Sequence, residues 1–382
     1  MEQVGINSNV YAGGKIFHIQ TAGSYNDLVV QSEIFEAGRI ISVQKKRITD
    51  VTEMPEDDFR EFVKKYHHEV AWEVELMFFM REKIRNTTHT VSNSKIGLLF
   101  LRKGFLDEAI SEFQHTIEHD PDLVEVYNHL GLAYLHRGDF SLAIESIQKG
   151  IELRPQFPDL RNNLGFAYGK AKKYSEAITE YDKALAINPH YVVVHLNKAI
   201  TFLESILNNG DTGSLPTVQD RILTVSSIFK TTLMTNPDFA NYRFYTFRFE
   251  KILKHLTASA YVQAIDIILE VKESIQKPSL DETIHGFYLK FLFGGAGKDE
   301  KVINDYRAQL EQHINENPTY ADLHNSLGLV YLIQCRNLFL KAMSQFKKAY
   351  EINPSYKTAY KNFRLVQNDG REFLNLLRAI LK

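Results

Sequence analysis

The sequence has a single cysteine, no excess of either charge and no long apolar run. Cys335 alone cannot form an internal disulfide, which favours a reducing compartment. The 45 lysine and arginine residues nearly balance the 47 aspartate and glutamate residues, so the basic excess of a nucleic-acid-binding protein is absent. No segment approaches the roughly 20 apolar residues that span a bilayer, and the first residues do not resemble a secretory signal. These features predict a cytoplasmic protein without a membrane span or a nucleic-acid partner.

Three consecutive segments repeat the same residue types at the same spacing. Gly97, Gly131 and Gly165 are 34 residues apart, and each is followed by an aromatic residue, an alanine and a proline. These followers are Phe100, Tyr134 and Tyr168, then Ala109, Ala143 and Ala177, then Pro121, Pro155 and Pro189. We interpret each segment as two antiparallel helices, in which the small residues allow a close crossing and the proline ends the second helix. Because one pair cannot bury its apolar face, successive pairs must stack.

The repeated unit resembles the tetratricopeptide repeat family. The unit that begins near Val124 carries Tyr127, Leu130, Gly131, Tyr134, Ala143, Ile147, Gly150 and Pro155. A further unit carries Leu327, Gly328, Tyr331, Ala342, Phe346, Ala349 and Pro354, with a turn that the spacing predicts to be two residues longer. The resemblance implies a mainly α fold, namely a right-handed α-solenoid of tetratricopeptide helix pairs.

The N-terminal residues do not follow this helical pattern. Lys15–Thr21, Leu28–Phe35 and Arg39–Arg47 are rich in β-branched and aromatic residues and predict a small antiparallel β meander of three strands. Apolar residues at helical intervals in Asp57–Arg85 predict a long helix that supports this sheet. The β segment is similar to a leader found beside such repeats in some bacterial proteins.

These patterns divide the chain into seven segments. The repeats lose their register in the middle of the chain, where a segment rich in glycine, proline and asparagine predicts an inserted loop. The predicted segments are a β-meander module (1–52), a long connecting helix (53–90), regular repeats (91–203), the inserted loop (204–220), divergent helical repeats (221–318), one regular repeat (319–354) and C-terminal capping helices (355–382).

The family resemblance also implies which residues face the concave surface. In this family the first helix of each pair lines that surface. The implied peptide-binding groove consists of Lys95, Leu98, Arg102, His129, Leu132, His136, Asn163, Phe166, Lys170, Asn197 and Ile200. Asn163 and Asn197 are expected to bind the backbone of an extended peptide, and the basic side chains favour an acidic ligand. An alternative is that the N-terminal module or its long helix folds back and fills the groove.

Other patterns offer only weak evidence for a catalytic, metal-binding or nucleotide-binding site. Gly294–Lys298 lacks the full set of residues of a phosphate-binding loop and is typical of a turn. His115 and His119 have a spacing that can bind zinc, but no third ligand is evident, which favours a solvated helix face. The aromatic run Tyr242–Phe249 predicts an enclosed helix, with base stacking or partner anchoring as alternatives. We therefore predict no catalytic residue, no metal and no cofactor.

The sequence thus favours a non-enzymatic scaffold or adaptor that holds an extended peptide or a partner helix in its concave groove. One alternative is a self-associating structural subunit, which would form a homo-oligomer through the apolar segment Gly370–Lys382 or the free edge of the β module. Another is a small-molecule or nucleotide sensor with residues 204–220 as a lid.

Overall fold

A computed structural model of the protein describes residues 4–48, 54–85, 90–209, 214–234, 236, 239, 242–275, 299–316 and 321–380. The chain divides into two compact units. Residues 1–32, 45–92 and 280–382 form the first unit, and residues 33–44 and 93–279 form the second. The segment Gly294–Lys298 and the centre of the predicted inserted loop (210–213) lie outside the described residues.

The N-terminal sheet has four antiparallel strands, whereas the sequence analysis predicts three. The strands are β1 (Val4–Ala12), β2 (Lys15–Ser24), β3 (Val29–Glu36) and β4 (Arg39–Arg47), and they lie in this order across the sheet. The three predicted strands correspond to β2, β3 and β4, so the prediction is wrong only in omitting β1.

Strand β1 was missed because its outward-facing positions carry residues that rarely form strands. Gly5, Asn7 and Asn9 are exposed, and glycine and asparagine are depleted in strands. The stronger indication is the turn that follows. Gly13 and Gly14 have φ angles of 57° and 75°, as a two-residue hairpin turn with two left-handed residues requires. The Gly-Gly pair therefore indicates a hairpin that begins before residue 10.

Helix α1 (Glu56–Arg85) packs against strands β1 and β2 and agrees with the predicted long helix. The Phe17 and Phe78 ring centres are 5.2 Å apart. At the centre of this contact His67 is buried, with Nδ1 2.8 Å from the Thr21 hydroxyl and Nε2 2.8 Å from the Ser8 hydroxyl. Burial, reinforced by His68, lowers the pKa of His67. A neutral imidazole, which donates through one nitrogen and accepts through the other, thus joins the helix to the sheet.

The regular repeats form helix pairs in which the recurring glycines touch the partner helix. The helices are α2 (Thr90–Arg102), α3 (Leu106–His119), α4 (Val124–Arg137), α5 (Phe140–Leu153), α6 (Pro158–Lys170), α7 (Tyr174–Ile187) and α8 (Val192–Leu207). A Cβ atom on Gly97 or Gly165 would lie 2.7 Å from the facing ring, Phe113 or Tyr181. Close-packed interiors have no room for such an atom, so the helices can cross this closely only at glycine.

The turns inside these pairs share a backbone feature. The seventh residue after each recurring glycine has a positive φ angle, at Gly104 (82°), Gly138 (92°) and Lys172 (61°). A left-handed residue reverses the chain between the two helices. Glycine adopts this conformation readily, whereas a side-chain-bearing residue such as Lys172 loses about 1 kcal/mol there.

In the described part of residues 218–275, three further helices pack around one core. They are α9 (Val218–Ser227), which continues as a π-helical turn through Ile228–Leu233, α10 (Arg243–Thr257) and α11 (Tyr261–Ile275). Helix α8 extends to Leu207, so the inserted loop starts later than predicted. Thr217 caps α9, since its hydroxyl accepts a hydrogen bond from the Asp220 backbone N–H at 3.2 Å.

The prediction that the aromatic run forms an enclosed helix is wrong for three of its rings. Tyr242, Phe244 and Phe247 are exposed, while Phe249 is fully buried. The Arg248 guanidinium lies over the Phe244 ring, 3.6 Å from its centre. Successive helical residues point about 100° apart, so a helix that packs through one side leaves part of such a run in solvent.

The C-terminal helices differ most from the prediction. They are α12 (Glu300–Glu316), α13 (Ala321–Ile352) and α14 (Lys357–Ile380). The sequence analysis predicts a helix pair in residues 319–354 and two separate capping helices, but α13 and α14 are each continuous. Helix α13 contains neither glycine nor proline after Gly328, and Cys335 occupies the position of the left-handed turn residue. Gly370 contacts the Phe339 ring of α13, so its small size serves helix packing rather than a turn.

Candidate functional site

The first helices of successive pairs lie side by side. Between α4 and α6, the Asn163 amide donates a hydrogen bond to Asn128 Oδ1 at 2.8 Å. Between α6 and α8, the Asn197 amide donates to Asn162 Oδ1, also at 2.8 Å. These hydrogen bonds place α4 beside α6 and α6 beside α8.

Nine of the eleven predicted groove residues keep part of their surface in solvent. They belong to α2, α4 and α6, and we call these nine residues the candidate groove. His136 and Lys170 are exposed, and the half-buried members are Lys95, Leu98, Arg102, His129, Leu132, Asn163 and Phe166.

The prediction that the groove extends over α8 is wrong. Asn197 and Ile200 are only 4% and 8% exposed. They are buried because α11 packs against α8, with Ile267 and Ile268 in the same apolar core. The candidate groove therefore ends at α6, where α11 covers the next helix.

Helix α11 contributes a lysine to this end of the groove. Lys272 Nζ donates a hydrogen bond to Asn197 Oδ1 at 2.8 Å and lies 5.1 Å from the centre of the Phe166 ring. Lys170 Nζ lies 5.3 Å from the same ring centre and 3.5 Å from the Glu204 carboxylate. Two ammonium groups thus share one aromatic ring, an arrangement that cation–π attraction stabilises.

The charges at the α6 end of the candidate groove favour the binding of an anion. Burial lowers the pKa of Lys272, the charge of Lys170 lowers it further, and Glu204 acts in the opposite direction. Among the residues that the structure describes, no carboxylate lies within 4 Å of Lys272 Nζ. Two cations and one carboxylate leave a net positive charge. At α2, the pKa of Lys95 is likewise lowered by burial.

The asparagines form an internal chain of amide hydrogen bonds rather than a free ladder. Asn163 donates to Asn128 and accepts from the Asn162 amide at 3.2 Å. A side-chain amide has two N–H donors and two acceptor lone pairs, so Asn163 keeps one of each for a ligand. Asn197 is buried with both amide atoms engaged, by Asn162 and Lys272.

The predicted groove does not include Asn128, Asn162 and Lys272. The two asparagines are the fifth residues of α4 and α6, a position that faces the inner surface in this family and so could have indicated them. Lys272 has no such indication, because it belongs to a helix outside the regular register.

The described residues show neither a metal-binding cluster nor a membrane-spanning helix. They contain no group of three or more histidine, cysteine, aspartate or glutamate side chains that could hold a metal. The His115 and His119 ring centres are 4.4 Å apart, and His119 Nδ1 lies 2.8 Å from the His115 carbonyl oxygen. Within the described ranges, no helix has the length and apolar character needed to cross a membrane.

Part of the regular repeats matches a known protein family. The family model of the tetratricopeptide repeat matches residues 124–157 and 158–191, which contain the pairs α4–α5 and α6–α7. These residues are tetratricopeptide repeats. No curated protein matches the chain.

Solved structures with tetratricopeptide repeats show similarity over part of the chain. MamA is 18% identical, with 47% of this chain and 96% of that chain covered and a TM-score of 0.37. The first repeat domain of Spaghetti (RPAP3), bound to the HSP90 peptide SRMEEVD, is 18% identical, with 31% and 93% covered and a TM-score of 0.29. The second repeat domain of human RPAP3, in complex with the HSP70 peptide SGPTIEEVD, is 19% identical, with 29% and 93% covered and a TM-score of 0.29.

Proposed function

We propose that this protein is a non-enzymatic scaffold or adaptor that binds an extended, acidic segment of a partner protein in the candidate groove. Tetratricopeptide repeats generally mediate protein–protein interactions. The observation that carries the proposal is the positive end of the groove, where Lys272 and Lys170 lie over one ring and Lys272 has an amide oxygen as its acceptor. A ligand carboxylate would supply the missing negative charge.

The apolar members of the groove provide the main contact area. Leu98, Leu132 and Phe166 stand at equivalent positions of the first helices α2, α4 and α6 and are half-buried. Burying their remaining apolar surface yields roughly 25 cal/mol per Å². A few such anchors usually supply most of the binding free energy of an interface.

The polar members fix the position and charge of the segment. Asn163 retains one donor and one acceptor for the ligand backbone, as described above. Arg102 is half-buried and adds positive charge, and His136 is exposed. In the free protein Glu204 holds Lys170 at 3.5 Å, and an acidic side chain of the ligand would compete for the same ammonium group.

The first experiment is affinity capture with the full chain, read by mass spectrometry. We expect Asn163→Ala combined with Phe166→Ala to lose the specific partner that the unmodified chain captures. Lys149→Ala combined with Leu153→Ala is the matched control, since both residues are exposed on the second helix α5 and lie outside the groove. Equal capture by both double variants, with unchanged circular dichroism, would overturn the groove proposal.

The second experiment tests the acidic specificity. With a synthetic peptide of the captured segment, we expect Lys272→Met to weaken binding about tenfold, and a peptide with glutamine in place of glutamate to bind both chains equally weakly. Because the pKa of Lys272 is lowered, its charge is lost before the pH reaches the ordinary lysine value of 10.5, and the affinity of the unmodified chain falls with it. An affinity that does not depend on the peptide carboxylate would contradict the acidic specificity.

A further inference from the structure

Helix α13 carries the repeat signature of a helix pair although it is one helix. In the regular pairs the recurring glycine precedes the large side chain that packs on it by 16 residues, as for Gly97 and Phe113. The equivalent residues of α13 are Gly328 and Phe346, which are 18 residues apart. In a continuous helix this separation is about 27 Å, at 1.5 Å per residue. The two residues therefore cannot touch within one straight α13.

The surface that a second helix should cover is open at Gly328. A Cβ atom added to Gly328 would meet no atom of the described residues within 4 Å, whereas the glycines of the regular pairs face side chains at contact distance. Tyr331, one turn further along, is 47% exposed. On the other half of the helix Ala342 is exposed and Phe346 is half-buried.

The rest of α13 is held in the extended arrangement by its neighbours. The first half packs on α12 through a small core that includes Ile303, Leu310 and Val330. The second half packs on α14, where the Tyr350 and Tyr360 ring centres are 5.1 Å apart. The first half of α13 therefore contacts mainly α12 and the second half mainly α14, and Lys341 of the second half also pairs with Glu300 of α12.

The charges of the two surfaces are complementary. Helix α12 has four acidic residues, Glu300, Asp305, Glu311 and Glu316, against Lys301 and Arg307, which gives a net charge of −2. The second half of α13, residues 338–352, has three lysines against Glu351, which gives +2. Lys341 already pairs with Glu300 of its own chain, which leaves a charge of +1 on the second half of α13 and −1 on α12 to attract another copy.

We propose that α13 is the open form of a tetratricopeptide helix pair and that a second copy of this chain covers it. Residues 338–352 of each copy dock on the Gly328–Tyr331 surface of the other, so that Phe346 of the second copy lies against Gly328. Such a reciprocal exchange of identical elements closes a symmetric dimer. The exchange replaces the intramolecular contact that the straight helix prevents.

The test is a disulfide between the two positions in the full chain, with Cys335→Ser in every variant because Cys335 is exposed. Chains with Gly328→Cys and chains with Phe346→Cys are co-expressed with tags of different size and oxidised. We expect a reducible heterodimer that neither single variant forms with itself, because a disulfide needs Cα atoms within about 7 Å. Light scattering of the unmodified chain should give twice the mass of one chain.

The chain that carries both substitutions distinguishes the remaining outcomes. A bridge within one chain, seen as a monomer without free thiols, would show that α13 closes on itself and would overturn the exchange. Free thiols in both experiments, together with a monomeric mass of the unmodified chain, would also overturn it.

Discussion

The regular pair α4–α5 and the helix α13 share the same signature residues, but the first is a hairpin of two helices and the second is one continuous helix. Gly131 is followed seven residues later by Gly138, which has a φ angle of 92° and reverses the chain. Gly328 is followed seven residues later by Cys335, which stays helical. The signature therefore specifies which surfaces fit together, whereas the residue at the turn decides whether they meet within one chain.

The largest expected difference between the two regions concerns ion pairs. Arg161 and Glu180 are 2.9 Å apart and mostly buried between α6 and α7, whereas Lys341 of α13 and Glu300 of α12 form an exposed pair. We expect Arg161→Ala to cost about 2–3 kcal/mol of unfolding free energy, because Glu180 stays buried with Lys183 as its remaining cation.

The control for this prediction is Lys341→Ala, which should change the unfolding free energy by less than about 0.5 kcal/mol. Urea titrations followed by circular dichroism measure both variants. An equal loss of unfolding free energy in Arg161→Ala and Lys341→Ala would show that the two regions do not differ in the burial of their charges.

The second prediction compares the two glycines. A Cβ on Gly131 would approach Ile147 Cδ1 to 2.9 Å, so we expect Gly131→Ala to cost about 2 kcal/mol. Gly328→Ala has open space and should instead gain up to about 1 kcal/mol from the helix propensity of alanine.

Both glycine variants are measured by urea unfolding of dilute protein, so that association does not contribute. A cost at Gly328 as large as that at Gly131 would mean that Gly328 is already covered within its own chain.

The third and smallest expected effect concerns the turn residues. Lys172 has a positive φ angle of 61°, so Lys172→Gly should stabilise the α6–α7 pair by about 1 kcal/mol. Cys335→Gly places the same residue type at the equivalent position of α13 and should favour a closed hairpin, which lowers the fraction of dimer seen by light scattering. Cys335→Ala, which keeps the helix, is its control and should leave the mass unchanged.

Much of the fold follows from the sequence because each regular pair is specified by local features. The spacing of Gly97, Gly131 and Gly165 predicts three helix crossings, and the structure contains all three. The sequence did not predict that α13 is one continuous helix, because this depends on the lack of one left-handed residue within an otherwise complete signature.

The candidate groove was predicted only in part. Side chains on the regular first helices, such as Phe166, follow from their repeat position and keep part of their surface in solvent. The burial of Asn197 and the position of Lys272 depend on the packing of α11 against α8, which joins residues 75 positions apart. No local pattern encodes a contact of that range.

The most direct test of the account is the distance between residues 328 and 346 within one chain. Spin labels attached through Gly328→Cys and Phe346→Cys, in the Cys335→Ser chain and diluted with an excess of unlabelled protein, report this distance by pulsed electron resonance. A continuous α13 predicts about 27 Å. A distance of about 10 Å, that of two packed helices, would show a closed pair and contradict the account.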